Sequence, residues 1–126
     1  MLNHILWDRI DRERLNPKLE RQYVTVGGVT LARLIMARGL SIPTHHHPSE
    51  QITQVLSGRL KMWHGGREYK LGPGEILCIP SNEPHNTEVL EDTVCVDIFT
   101  PPRADWVTGH DAYLRGTEGA LDEVAP

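Results

Sequence analysis

Gly39-Leu40-Ser41-Ile42-Pro43-Thr44-His45-His46-His47-Pro48-Ser49-Glu50-Gln51-Ile52-Thr53-Gln54-Val55-Leu56-Ser57-Gly58 is the stretch that decides how the chain reads. Three histidines follow a proline, and an acid–amide pair leads into a short apolar run that Gly58 closes. In an extended strand, residues two apart share a face, so His45 and His47 point together while His46 points away. Imidazoles converging in this way are two arms of a metal site, provided another strand brings a third. His85 is the candidate. It ends Gly74-Glu75-Ile76-Leu77-Cys78-Ile79-Pro80-Ser81-Asn82-Glu83-Pro84-His85, a second strand-then-turn unit.

Outward from this stretch the pattern is one of short strands. Residues 22–26 and 30–36 flank Gly27-Gly28, a hairpin signal. Residues 51–56 and 60–64 come next, and Gly65-Gly66 returns the chain as 67–71. Pro73-Gly74 suits the centre of a type II turn, and 75–79, 86–90 and 93–100 complete the strands. Many short strands with glycine turns and almost no helical period predict an all-β sandwich or barrel. Residues 8–20 are rich in charge and hold Asn16-Pro17, which predicts a surface turn or a short helix ending before Pro17. After Pro101-Pro102, residues 103–114 read as a short turn or helix packed on the barrel, and 118–126 as a loose end. The expected organisation is one domain over residues 1–126: an N-terminal arm (1–20), a barrel (about 21–100) and a C-terminal extension (101–126).

The chain of 126 residues is long enough for one core without staples, and its formal net charge is −4 with no block of Lys or Arg. That balance argues against nucleic acid and anionic membrane as partners. No apolar run is long enough to span a bilayer, and the N-terminus turns charged before a signal-peptide core can form. Cys78 and Cys95 both fall in apolar strand-like settings and read as buried thiols of a reducing compartment, with the cytoplasm as default. His46 reads as an outward-facing structural residue and His64, beside Gly65-Gly66, as an exposed hairpin residue.

Together the two histidine segments resemble the cupin family, over about half of the chain. Its first motif is Gly, five residues, His-x-His, three or four residues, Glu, six residues, Gly. Gly39, His45, His47 and Gly58 fall on it, with Gln51 at the glutamate position and Glu50 just before it. Its second motif is Gly, five residues, Pro-x-Gly, two residues, His, three residues, Asn. Gly74, Pro80 and His85 match, while Asn82 and Val89 replace the last glycine and the asparagine. The resemblance implies a cupin jelly-roll β-barrel with one divalent transition metal ion (Zn, Ni, Fe, Co or Mn) inside, near one mouth. Its ligands would be His45, His47, Gln51 and His85. Glu50 is the alternative to Gln51, but the six-residue count to Gly58 and strand alternation favour Gln51. Three imidazoles and an amide leave the metal its full charge, which favours an anionic ligand and Lewis-acid chemistry over an oxygen-activating iron site.

The second constellation is Asp97-Ile98-Phe99-Thr100-Pro101-Pro102-Arg103. Alternation puts Cys95, Asp97 and Phe99 on one face, and an aspartate in so apolar a strand is costly to bury unless paired or useful. Arg103 is a fork for a substrate carboxylate or for Asp97 itself; the residues alone leave the two readings even. With the histidines and Gln51, this strand resembles the KdgF group of small cupins, which open the ring of 4,5-unsaturated uronates released from pectin and alginate. That resemblance implies catalytic roles for Asp97, as proton shuttle, and Arg103, as carboxylate anchor, and a sugar-packing role for Phe99. Small cupins resemble one another in pairing two barrels back to back, so a homodimer is expected. An iron-dependent dioxygenase and a non-enzymatic small-ligand or sugar-binding cupin are the competing readings.

Overall fold

A computed structural model describes residues 3–116 of the chain. After a 3-10 turn at Trp7–Arg9, ten strands follow: β1 (Glu13–Asn16), β2 (Leu19–Val26), β3 (Val29–Met36), β4 (Ser41–His45), β5 (Glu50–Ser57), β6 (Leu60–His64), β7 (Arg67–Leu71), β8 (Ile76–Ile79), β9 (His85–Val89) and β10 (Thr93–Thr100). Two short helices close the described chain, α1 (Ala104–Val107) and α2 (Ala112–Arg115). The strands form two antiparallel sheets, one in the order β1-β2-β3-β10-β5-β8 and the other β4-β9-β6-β7. This is the all-β jelly roll that the sequence resemblance implies.

Strand β10 is the centre of the larger sheet, and its alternation is as read from sequence. Thr93, Cys95, Asp97 and Phe99 are buried, while the residues between them face outward. Register carries that alternation into layers across the sheet. Cys95 lies opposite Leu34 and Val55, Asp97 opposite Ala32 and Thr53, and Phe99 opposite Thr30 and Gln51. In the smaller sheet Leu60 faces Val89, Met62 faces Thr87 and His64 faces His85. The interior is therefore graded along the barrel. One end is apolar (Leu34, Val55, Leu60, Val89), and the other end is where polar side chains collect.

Gly58 turns β5 into β6 with φ +89, and a Cβ there would lie 2.3 Å from both the Asp92 carbonyl oxygen and Thr93 Oγ1. Only glycine combines that dihedral with so close a backbone approach. Gly58→Ala is expected to cost at least about 2 kcal/mol of stability. A urea-unfolding midpoint equal to that of the parent would show that the turn can relax.

The N-terminal arm holds the expected turn, at Asn16-Pro17-Lys18, but a strand, β1, where a short helix was the alternative, because the turn folds β1 back onto β2. Asn16 Oδ1 accepts from the Lys18 amide at 2.8 Å, the side-chain turn chemistry that competes with helix. Strand β2 correspondingly begins at Leu19. Cys78 is exposed on the outer face of β8, and only Cys95 is a buried thiol. His64 corrects its reading too: it takes an inward-facing position of β6 and is half-buried. The outer face of the larger sheet exposes Ile52, Ile76 and Ile98. The expected loose end at 118–126 lies outside the described residues, and among the described residues no helix is long and apolar enough to cross a membrane.

Helices α1 and α2 fold over the polar end. Trp106 packs edge-on against Phe99 and Tyr23, at 5.1 and 5.3 Å between centroids, and under the guanidinium groups of Arg21 and Arg103. Arg21 is fully buried and pairs with Asp111 at 2.9 Å, anchoring the start of α2. The Leu114 carbonyl accepts from Asn16 Nδ2 at 2.7 Å, tying α2 to β1.

Candidate metal centre

His45 ends β4, His47 follows it, and His85 begins β9, so one strand pairing brings the three together. The pairing is irregular. Four residues of β4, from Ile42 to His45, oppose three of β9, from Thr87 to His85. This bulge shifts the alternation, so Ile42 and His45 are both buried although they lie three positions apart. One ring nitrogen from each of His45, His47 and His85 lies within 4.8 Å of the others. The rings stand 4.3 to 5.6 Å apart between centroids.

Each of these histidines donates its Nδ1 proton to a backbone carbonyl two residues away: His45 to Pro43 at 2.8 Å, His47 to Ser49 at 2.9 Å and His85 to Glu83 at 2.8 Å. A carbonyl can only accept, so the proton is on Nδ1 and the Nε2 lone pair is free to ligate. Loop contacts tie down the chain from His47 to Ser49. Ser49 Oγ donates to the Pro101 carbonyl at 2.6 Å, and the Asn82 amide to the His47 carbonyl at 2.8 Å.

Burial lowers the pKa of all three rings, with help from neighbouring positive charge. His47 and His85 fall to about 4, and His45 well below its usual value. Near pH 7 they are neutral, as a metal ligand must be.

Two observations fit a cation among these rings. His85 Nε2 is buried without a hydrogen-bond partner. His47 Nε2 lies 3.1 Å from Gln51 Oε1, which places a ring lone pair against an amide oxygen. Two acceptors at that distance repel unless a positive charge lies between them. A metal ion coordinated by both resolves the contact, and the donor set of three imidazoles and one amide suits a divalent transition metal. Glu50 is exposed and does not join the cluster, whereas Gln51 is buried beside it.

Asp97 is buried below the histidines, and burial raises its pKa to about 6, against the smaller effects of a hydrogen bond from Thr53 and the charge of Arg103. Its neighbour Cys95 approaches Asp97 Oδ1 at 4.0 Å. Arg103 does not pair with Asp97. Its Nε and Nη2 fork onto the Asp105 carboxylate at 2.9 and 2.6 Å, and Nη2 also donates to the Tyr113 hydroxyl. The structural ion pair considered from sequence is therefore Arg103–Asp105, because the chain turns at Pro101-Pro102 and sends the guanidinium back between Phe99 and Trp106, 4.7 Å from each ring centroid.

One narrow cavity of about 40 Å³ has His45, His85, Gln51, Asp97, Phe99 and Arg103 on its walls. Leu34, Met36, Leu60 and Met62 form an apolar floor; Trp106, Tyr113 and Leu114 form a roof. Sequence reading missed Tyr113. Its ring packs on His45 at 4.6 Å and its hydroxyl meets Arg103, yet nothing in residues 112–114 signals a site. Thr53 was also passed over as a strand residue, and only the register with Asp97 reveals it. His46 and His64 stay outside the cluster; each is half-buried with one buried ring nitrogen lacking a partner.

A cupin domain family model matches residues 32–99. Among solved structures the chain resembles KdgF from a Halomonas species, with a TM-score of 0.79 and 23% identity, covering 84% of this chain and 99% of that one. An RmlC-like cupin from Shewanella frigidimarina gives a TM-score of 0.78 at 19% identity, covering 84% and 96%. At these identities the likeness is one of fold. A curated relative, the dimethylsulfoniopropionate lyase DddQ of Ruegeria pomeroyi, is 37% identical over 57 residues. That match covers 44% of this chain and spans only 28% of the lyase's length.

Proposed function

The chain belongs to the cupin family, and from that premise we propose that it is a metal-dependent lyase or isomerase acting on a small anionic substrate, with ring opening of 4,5-unsaturated uronates as its reaction. The observation that carries this reading is a cluster of three convergent neutral histidines, two of which, His45 and His85, line one cavity with a buried carboxyl whose pKa is raised to about 6. A carboxyl in that range can both take and give a proton near neutral pH.

His45, His47, His85 and Gln51 would hold the metal, which supplies Lewis-acid polarisation of a carboxylate or of a developing enolate oxygen. Arg103 binds the substrate carboxylate; Asp105 and Tyr113 hold its guanidinium in place. Asp97 takes the proton of the anomeric hydroxyl as the ring C–O bond breaks and the C1 aldehyde forms. The electron pair passes to the enolate, and C4 gains a proton as C5 becomes a ketone. Phe99 presents an apolar ring to the sugar face. Tyr113 and Leu114 roof the narrow cavity, so binding of a hexuronate is expected to shift α2. The homodimer and the cytoplasmic setting expected from sequence belong to the same proposal, and the exposed Ile52, Ile76 and Ile98 support an outer face that pairs.

The test follows the ultraviolet absorbance of a 4,5-unsaturated uronate mixed with metal-loaded protein. The conjugated chromophore is expected to disappear faster than it does spontaneously, with or without oxygen, and chelation is expected to abolish the acceleration. Dependence on oxygen would favour a dioxygenase. No acceleration in a sample shown to hold metal would remove the uronate reading. A second reading, β-elimination from a small acyclic carboxylate, is favoured by the narrowness of the cavity: the proton α to the carboxylate goes to a base and the β-substituent leaves with its bonding pair, so the appearance of the conjugated alkene with an equal amount of leaving group would reveal it.

A further inference from the structure

We infer that Thr53 is a positioning residue for the metal: its hydroxyl fixes the Gln51 side chain so that the amide oxygen, rather than the nitrogen, faces the histidines. This rests on the metal-centre reading and extends it to a residue that touches neither metal nor substrate.

The argument is one of donors and acceptors. A threonine hydroxyl has one proton to give and can accept in return. Thr53 lies opposite the buried Asp97 in the sheet. Its Oγ1 accepts from Gln51 Nε2 at 2.8 Å, so the amide nitrogen is engaged on the side away from the histidines. With its nitrogen committed, Gln51 must turn Oε1 towards His47 Nε2, 3.1 Å away. The run Thr53–Gln51–His47 is thus oriented by the Thr53 oxygen. All three side chains are buried, with Thr53 1% exposed, so they are shielded from bulk water.

Without the hydroxyl the amide is free to turn over. Its nitrogen can then donate to His47 Nε2, satisfying that lone pair and closing the position the metal needs. Outer partners that orient ligands in this way typically carry ten- to hundredfold of metal affinity.

The experiment titrates zinc, and separately manganese, into metal-free protein by calorimetry for the parent, Thr53→Val, Thr53→Ser, Gln51→Ala and the double variant Gln51→Ala/Thr53→Val. Thr53→Val is expected to bind about tenfold more weakly or worse, and Thr53→Ser to restore the parent affinity. Since Thr53 acts only through Gln51, Thr53→Val is expected to change nothing further once Gln51 is alanine. Melting temperatures of the metal-free forms separate this effect from a general loss of folding. Equal affinity of parent and Thr53→Val, or an undiminished effect of Thr53→Val in the Gln51→Ala background, would overturn the inference. A parent that binds neither metal would overturn the metal-centre reading and the inference with it, whereas binding with no Thr53 effect would leave that reading standing.

Discussion

Asp97→Asn is expected to lower turnover of a 4,5-unsaturated uronate by about 10²- to 10⁴-fold while the protein keeps its metal. The amide has nearly the shape of the carboxyl, so the ligand cluster is undisturbed, but it neither takes nor gives a proton. The same substitution is expected to stabilise the metal-free protein. Burial raises the Asp97 pKa from 3.8 to about 6, so the folded state holds this proton more tightly than the unfolded chain does. The stability of the neutral acid is therefore fully present below about pH 4 and is lost as pH rises to about 6. Above that the penalty is complete, on the order of 3 kcal/mol. Urea unfolding should show the metal-free variant more stable than its parent at pH 7.5 and the two alike below pH 4. Full turnover in the variant would end the proton-transfer role, and equal stability at pH 7.5 would mean that the buried charge is compensated.

His85→Ala is expected to weaken metal binding by more than about 100-fold, beyond what loss of an outer partner does. His85 belongs to the smaller sheet while Gln51 belongs to the larger one, so its imidazole joins the two sides of the cluster. The parent leaves its Nε2 buried and unpartnered, a polar atom whose desolvation a bound metal would offset. Metal content after dialysis against a weak chelator reads the effect directly. Occupancy equal to that of the parent would remove His85 from the ligand set, and with it the geometry on which the proposed chemistry rests.

These two expectations start from residues already visible in the chain, for reasons of period and type. Strand alternation in 93–100 placed Cys95, Asp97 and Phe99 on one face, and backbone pairing alone realises it. The histidine spacing picked out His45, His47 and His85, and the count to Gly58 separated Gln51 from Glu50. The all-β architecture followed from glycine turns between short strands.

Other features depend on contacts between distant segments, which no local pattern encodes. Strict alternation from the buried Ile42 would have turned His46 inward and His45 outward; the bulge between β4 and β9 reverses that, and it exists because β9 is the partner. Arg103 bonds Asp105 and Tyr113 instead of Asp97 because the path of the chain after Pro101-Pro102 decides which carboxylate its guanidinium meets. Tyr113 roofs the cavity because Asp111, two residues earlier, finds Arg21 ninety positions away. His64 faces inward and Cys78 outward through the pairing of their strands. The sequence by itself determined the strand periods and the residue types that can ligate a metal or move a proton. Only the tertiary structure decided their hydrogen-bond partners and what closes over them, because those depend on which strands and turns become neighbours.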